Sequence, residues 1–254
     1  MLTITPITGV PFIQPGDNLG EIILSALAQN NIELRAGDIL VITSKIVSKA
    51  EGRLVNLASV QPREQAIQLA EQTEKDPRLV ELILRESNQV LRSRPGTIIV
   101  EHRLGFVCAN AGIDHSNVAG GGDRAQEWVL LLPEKPEASA CRLRECLESH
   151  SAARIGIMII DSHGRAWRVG TVGLAIGLSG MPGVVDLRGK PDLFGYNLRI
   201  TQVGAADELA AAASLMMGQA AEGTPLSHVR GFPYALREGS LRELLRPREE
   251  DLFR

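Results

Sequence analysis

No apolar run in these 254 residues approaches the roughly 20 needed to cross a bilayer, and the N-terminus lacks the basic-then-apolar order of a signal peptide. Both absences predict a cytoplasmic protein without a membrane partner. Cysteine is scarce: Cys108, Cys141 and Cys146 are an odd count without metal-ligand spacing, which argues against a disulfide framework or a zinc site. An excess of either charge is also missing. Lys and Arg total 27 against 30 Asp and Glu, the net charge is −3, and the basic residues are scattered, so nucleic acid is not an expected partner. The five histidines, His102, His115, His150, His163 and His228, form no pair at metal-binding spacing. There is no Gly-x-Ser-x-Gly elbow or Cys/His pairing, which disfavours acyl-enzyme chemistry, and no Walker-type glycine loop. Repeats, low-complexity tracts and long linkers are absent too.

What is present is enough apolar material, 44% of the chain, to bury a large core in one broad domain or two small ones. Asp17 is a candidate cap for a helix with Leu19, Ile22, Ile23, Ala26 and Leu27 at helical spacing, and Gly37-Asp38 then turns into a strand, Ile39 to Thr43. Helices are expected from Pro62 to about Thr73, from Asp76-Pro77 to about Ser87, and from Pro136 to about His150. Strands are expected at Thr97 to Glu101, Leu104 to Cys108, Trp128 to Leu132, Ile155 to Ile160 and Val169 to Leu178. The glycine run Gly120-Gly121-Gly122 reads as a mobile loop that a ligand could order, and the segment from Asp186 to Asp192 as a charged turn. From about Val203 to Ala221 an alanine-rich helix offers side chains small enough for close packing against other backbone.

The polar groups gather after apolar strands. The segment from Ala109 to Val118 sets Asp114, His115, Ser116, Asn110 and Asn117 around Gly112, a density that packing rarely requires. Asp161-Ser162-His163-Gly164-Arg165 follows the run Ile155 to Ile160 in the same way. Asp114 and Asp161 therefore either converge on one Mg2+ or Mn2+ ion that neutralises phosphate oxygens, or each caps its own turn. Ser162 alone reads as a local turn residue. In Thr43 to Arg53, hydroxyls precede Lys45 and Lys49, four residues apart and on one face if the segment is helical. They would grip a phosphate or form a solvated basic face. Asp207-Glu208 suit a helix start and Gln219 a helix end.

Taken in order, these segments resemble the coenzyme F420-0:γ-glutamyl ligase family over nearly the whole chain. The matching stretches are Gly9 to Ile13 with Pro15-Gly16-Asp17, Thr43 to Arg53, Asn110 to Val118, Asp161 to Arg168, Asp186 to Gly195, and Ala206 to Glu222 with Val229-Arg230-Gly231. The resemblance implies an α+β fold of mixed sheets with flanking helices, peculiar to these ligases, with two subdomains and an intertwined homodimer. It implies that GTP lies against Val10, Pro11, Phe12, Ile13, Ser44, Lys45, Lys49 and Asn117, and against the turn Met217, Gly218, Gln219, Ala220, Ala221, Glu222, Gly223 and Thr224. It implies one metal on Asp114 and Asp161 and a second on Ser162 and Gln219, where relatives often carry threonine in place of Ser162. Mg2+ or Mn2+ would fill both sites, with K+ as a further candidate ion. Some relatives carry a C-terminal flavin reductase-like domain. Here the expectation is a single ligase domain without it.

The implied reaction joins L-glutamate to the deazaflavin cofactor precursor. GTP phosphorylates the acceptor carboxylate and the glutamate amine displaces phosphate, with Lys45 and Lys49 compensating the charge of the transferred group. No protein nucleophile is needed, since positioning and electrostatics supply most of the acceleration in phosphoryl transfer. Two alternatives remain at this level: a ligase of the same architecture acting on another phosphorylated carboxylic acid, and a non-catalytic nucleotide-binding homologue.

Overall fold

The computed structural model describes residues 1–118 and 127–252. The glycine run Gly120-Gly121-Gly122 lies outside these described residues. The chain is α+β. In order it forms β1 (Thr3–Ile7), α1 (Leu19–Gln29), β2 (Ile39–Thr43), α2 (Ser44–Ala50), β3 (Leu54–Asn56), α3 (Glu64–Thr73), α4 (Pro77–Arg85), β4 (Ser87–Arg94), β5 (Thr97–His102), β6 (Val107–Ala109) and β7 (Trp128–Leu130). It continues with α5 (Pro136–Ser151), β8 (Gly156–Arg165), β9 (Arg168–Ser179), β10 (Val185–Asp186), β11 (Gln202–Val203), α6 (Ala205–Met217) and β12 (Leu226–Arg230). Among the described residues no helix is long and apolar enough to cross a membrane.

A five-stranded mixed sheet in the order β1-β12-β2-β8-β9 is the centre of the molecule. β2 and β8 pair in parallel while the other ladders are antiparallel. Where β2 and β8 lie side by side, Ile39 to Ile42 and Ile157 to Ile160 are apolar at every position because both faces are covered. Leu40, Ile42, Ile157 and Ile159 enter one core with Ile23 and Leu27 of α1 and Leu143 and Leu147 of α5. Their neighbours Ile39, Val41, Met158 and Ile160 enter a second core with Leu209, Ala210 and Ala213 of α6. A three-stranded sheet, β4-β5-β6, lies with α3 and α4 in the excursion between β2 and β8.

Several boundaries depart from the pattern. Asn18, not Asp17, caps α1, accepting from Gly20 and Glu21 N–H groups; Asp17 instead closes the preceding turn by accepting from Gln14 N–H at 2.7 Å. The expected strand from Leu104 begins only at Val107, because His102 N–H donates to Phe106 O and Gly105 N–H to His102 O, closing a tight turn between β5 and β6. Helix α6 stops at Met217, where Gly218 at φ 76° leaves helical geometry. The largest departure concerns β8. It does not end at Ile160 but runs paired with β9 as far as Arg165, so Asp161, Ser162 and His163 sit inside a strand and not in a turn. The ladder to Leu174, Gly173 and Val172 satisfies the backbone there. Polar side chains are tolerated because this half of the hairpin extends past the sheet.

Candidate active site

The register of the sheet determines where polar residues emerge. Thr43, the last residue of β2, pairs with Ile160, so Asp161 is the first β8 residue beyond the β2 ladder. On the other side of β2, Ile42 pairs with Leu226 at the start of β12, and Leu226 pairs with Ile7 at the end of β1. One end of the sheet therefore collects the loop after β1, the start of α2, Asp161 and the turn from α6 into β12. Carboxyl ends of parallel strands are where open sheets bind ligands.

Asp161 is the centre of this end. Ser44 Oγ donates to its Oδ1 at 2.6 Å, and His163 Nε2 lies 3.0 Å from its Oδ2. Burial disfavours the charge, yet the His163 and Ser44 contacts and the Lys45 charge hold the carboxyl below the ordinary carboxylate range. Asp114 arrives from the other side on a backbone bridge to Leu130. It follows three consecutive left-handed residues, Asn110, Ala111 and Gly112; Asn110 Oδ1 pins that turn by accepting from Ile98 N–H at 3.1 Å. Burial, and then the Asp161 charge, push Asp114 up to about 6 against the opposing Lys45. An acid raised by the charge of a second one lies in its neighbourhood. Lys45 Nζ stands 3.4 Å from Asp114 Oδ2 and donates to Ser116 Oγ at 3.0 Å. Lys49, one turn on, is half-buried, and burial together with the Lys45 charge lowers its pKa.

A second pair stands across the strand. Side chains alternate along β8, so Ser162 faces α6 while Asp161 and His163 face Ser44. Ser162 Oγ donates to Gln219 Oε1 at 2.9 Å, and Gln219 Nε2 donates to Ser214 Oγ at 2.8 Å. Asn117 closes the gap by donating from Nδ2 to Ala220 O at 3.0 Å. The 217–224 turn is shaped by Thr224 Oγ1 donating to Met217 O at 2.6 Å and by Glu222 accepting from Ala220 N–H at 2.7 Å. Gly218 suits that turn because its φ of 76° and ψ of 179° are open to glycine but strained for residues with a Cβ. Of residues 10–13, Ile13 is buried in the core and Val10 packs against it, whereas Pro11 is exposed and Phe12 is 93% exposed. The loop is tied to α2 by Gly16 N–H donating to Ala50 O at 2.9 Å. Arg53 does not face the site; it pairs with Glu86 at 2.7 Å and donates to Leu132 O.

This arrangement fits a divalent cation, on its own evidence. Two interacting carboxylates face an ammonium group that stands in for positive charge. Among the described residues no three His, Cys, Asp or Glu groups are close enough to cage an ion, so any cation here would rest on these two carboxylates and on oxygen donors of other kinds.

The motif reading named three further residues without the contacts that bring them to the site. Ser116 holds Lys45. Asp207 does not merely favour the helix dipole; it accepts from Ala175 N–H at 3.0 Å beside the irregularity in the β8–β9 ladder. His163 is signalled only by its two-residue offset from Asp161. Behind it, His102 Nδ1 accepts from Leu104 N–H at 3.0 Å, so the neutral ring carries its proton on Nε2. Burial, then the His163 charge, push His102 from 6.5 down to about 4. The unfolded chain thus binds this proton first on acidification, and stability is lost as pH falls through that window. We expect about 2 kcal/mol of loss between pH 7 and 5 from this group, read as the difference in urea unfolding between wild type and His102→Asn. Parallel pH profiles in the two proteins would contradict a buried neutral ring.

A family model described as F420-0:Gamma-glutamyl ligase matches residues 8–231. The chain is 44% identical over 255 residues to coenzyme F420:L-glutamate ligase of Methanothermobacter thermautotrophicus, covering 100% of this chain and 99% of that one. It is 45% identical over 257 residues to the protein of the same name from Methanopyrus kandleri, covering 100% and 98%. For that of Methanocaldococcus jannaschii the identity is 41% over 247 residues, covering 96% and 94%.

Proposed function

Since the chain belongs to the F420-0:gamma-glutamyl ligase family, we propose that it is a GTP-dependent ligase that joins the amine of L-glutamate to a carboxylate of the deazaflavin precursor coenzyme F420-0. The observation that carries this reading is the meeting of Lys45, Asp114 and Asp161 at the end of the sheet, beside the segments that match the family.

A carboxylate resists attack by an amine until one oxygen becomes a leaving group. In the proposed reaction an acceptor carboxylate oxygen bonds to the terminal phosphorus of GTP as the bond to the β-phosphate oxygen breaks, giving GDP and an acyl phosphate. The glutamate nitrogen then attacks the carbonyl carbon, phosphate departs, and the nitrogen loses a proton to leave the amide. When bound, a Mg2+ or Mn2+ ion on Asp114 and Asp161 would neutralise phosphate oxygens, and Ser162 with Gln219 would hold a second. Lys45 and Lys49 supply fixed positive charge for the phosphoryl group in flight, which costs no reorganisation at that moment. Phe12, Asn117 and the 217–224 turn border the nucleotide.

The homodimer belongs to the same reading. Trp167 and Val169 at the β8–β9 hairpin, and Leu193, Phe194 and Ile200 in the loop between β10 and β11, are each at least 87% exposed, a set of large apolar side chains that a second copy would cover. Light scattering should return twice the chain mass for wild type and a smaller mass for a Trp167→Asp, Phe194→Asp double variant; a monomeric wild type would remove the dimer.

The deciding experiment incubates the purified protein with F420-0, L-glutamate, GTP and Mn2+, and follows the product by mass and GDP by chromatography. Glutamylated cofactor with matching GDP is the expected result. Turnover only on another phosphorylated acid would move the assignment to a different acceptor. GTP binding without turnover on any acid would make this a non-catalytic homologue.

A further inference from the structure

Behind the Asp161 carboxylate stands a column of rings that the reaction above does not use. His163 on β8, Phe106 in the β5–β6 turn and His102 at the end of β5 are 5%, 9% and 2% exposed. The His163 and Phe106 centroids are 5.0 Å apart, and those of Phe106 and His102 are 5.1 Å apart with planes only 6° from parallel. Neither end can turn toward water. His102 is fixed by the Leu104 N–H that its Nδ1 accepts, so the column fixes where the His163 ring stands.

The nearest carboxylate to that ring among the described residues is Asp161. His163 Nε2 makes no straight hydrogen bond to any acceptor, and the carboxylate 3.0 Å away is Asp161 Oδ2. On the other oxygen Ser44 Oγ donates at 2.6 Å. The carboxylate thus meets the protein at both oxygens, one hydrogen-bonded by Ser44 at the start of α2 and the other in close polar contact with His163 inside β8, and each oxygen keeps a lone pair for another partner. Asp114 and Asp207 also feel the His163 charge, but no ion pair with either comes as close as that with Asp161.

We propose that His163 is a positioning residue. It fixes the Asp161 carboxylate in one orientation and thereby sets the affinity of the Asp114–Asp161 pair for a divalent cation. The inference rests on the cation reading of that pair. Groups that orient metal ligands commonly change affinity by about 10–100-fold when removed, and a ring held by two others is suited to that task because its own rotamer is locked by packing.

The test is Mn2+ binding to the protein, followed by the electron paramagnetic resonance signal of the free ion, together with the thermal midpoint of each variant. Wild type should bind and Asp161→Asn should lose the site. His163→Ala should weaken binding by about 10–100-fold, and His163→Gln, which keeps a donor, should recover most of it. Phe106→Leu, which removes the middle ring and keeps an apolar side chain, should weaken Mn2+ binding with His163 intact, and it carries the test if His163→Ala does not fold. Wild-type affinity in His163→Ala, with the site lost in Asp161→Asn, would overturn the positioning role alone. Equal binding by wild type and Asp161→Asn would overturn the cation reading, and this proposal with it. Equal weakening in His163→Ala and His163→Gln, with lowered midpoints in both, would assign the ring to packing and overturn the proposal.

Discussion

Asp161→Asn should lower glutamate ligation by about 10²–10³-fold, the effect of removing several kcal/mol of transition-state charge stabilisation, while leaving the protein folded with a modest loss of stability. The two halves of this expectation have different causes. The substitution keeps the shape of the side chain, and an Asn oxygen can still accept from Ser44 Oγ while the amide nitrogen faces His163 Nε2 in its other tautomer. Burial raises the Asp161 carboxyl, whose side chain is 9% exposed, yet His163, Ser44 and Lys45 hold it below its ordinary range, so the ionised form favours the native state and the neutral amide should give up a modest part of the folding stability. The reaction, in contrast, would lose one of the two carboxylates proposed to hold the cation. Asp114→Asn should act in the same direction, and it would also free Lys45 from its partner at 3.4 Å. Steady-state rates with saturating substrates, measured beside urea unfolding, separate the two halves. A fully active Asp161→Asn enzyme would remove this carboxylate from the chemistry; an inactive and unfolded one would mean that Asp161 is chiefly structural.

The parts of the molecule legible in the sequence are those dictated by local pattern. The apolar run of β2, the Asp76-Pro77 start of α4 and the Pro136 start of α5 each contain their own signal within a few residues, and each element begins where that signal lies. What local pattern could not supply is pairing. Asp161 looks like the end of a strand until Leu174 is placed opposite it, because polar side chains beyond an apolar run look the same in a turn and in a hairpin that has left the core. The contacts that build the site, Lys45 to Ser116, Ser162 to Gln219 and Asn117 to Ala220, join residues 71, 57 and 103 positions apart. No spacing rule connects such pairs. They follow from the crossing order β12-β2-β8, which brings a helix start, a strand and a turn to one edge. The family resemblance singled out the same segments but carried no account of why they meet. His163 escaped for a different reason: judged as one of five histidines without a metal partner it carries no signal, and only its place on the Asp161 face of β8 gives it one.

The second large effect is on stability, and it tests why α6 is rich in alanine. Gly173 on β9 faces that helix so closely that a Cβ would lie 2.6 Å from Ser214 Cβ and 2.7 Å from the Ala210 carbonyl oxygen. Contacts that short against backbone are relieved only by moving the helix. Ala206, Ala210 and Ala213 are fully buried along the same face, so the small side chains of α6 and the glycine of β9 are one device that lets helix and hairpin approach. Gly173→Val should therefore cost about 3 kcal/mol, the upper range of overpacking penalties, and lower the thermal midpoint by roughly 6–12 °C for a chain of this size. Activity should fall by more than stability explains. Ser214, the residue that a new Cβ would strike first, accepts from Gln219 Nε2, and Gln219 is the partner of Ser162. Displacing α6 pulls that pair apart while Lys45, Asp114 and Asp161, on the other face of β8, keep their places. The assay should show a raised metal requirement at temperatures where Gly173→Val is still folded. A midpoint unchanged from wild type would mean that the helix yields at no cost and that the close approach is incidental.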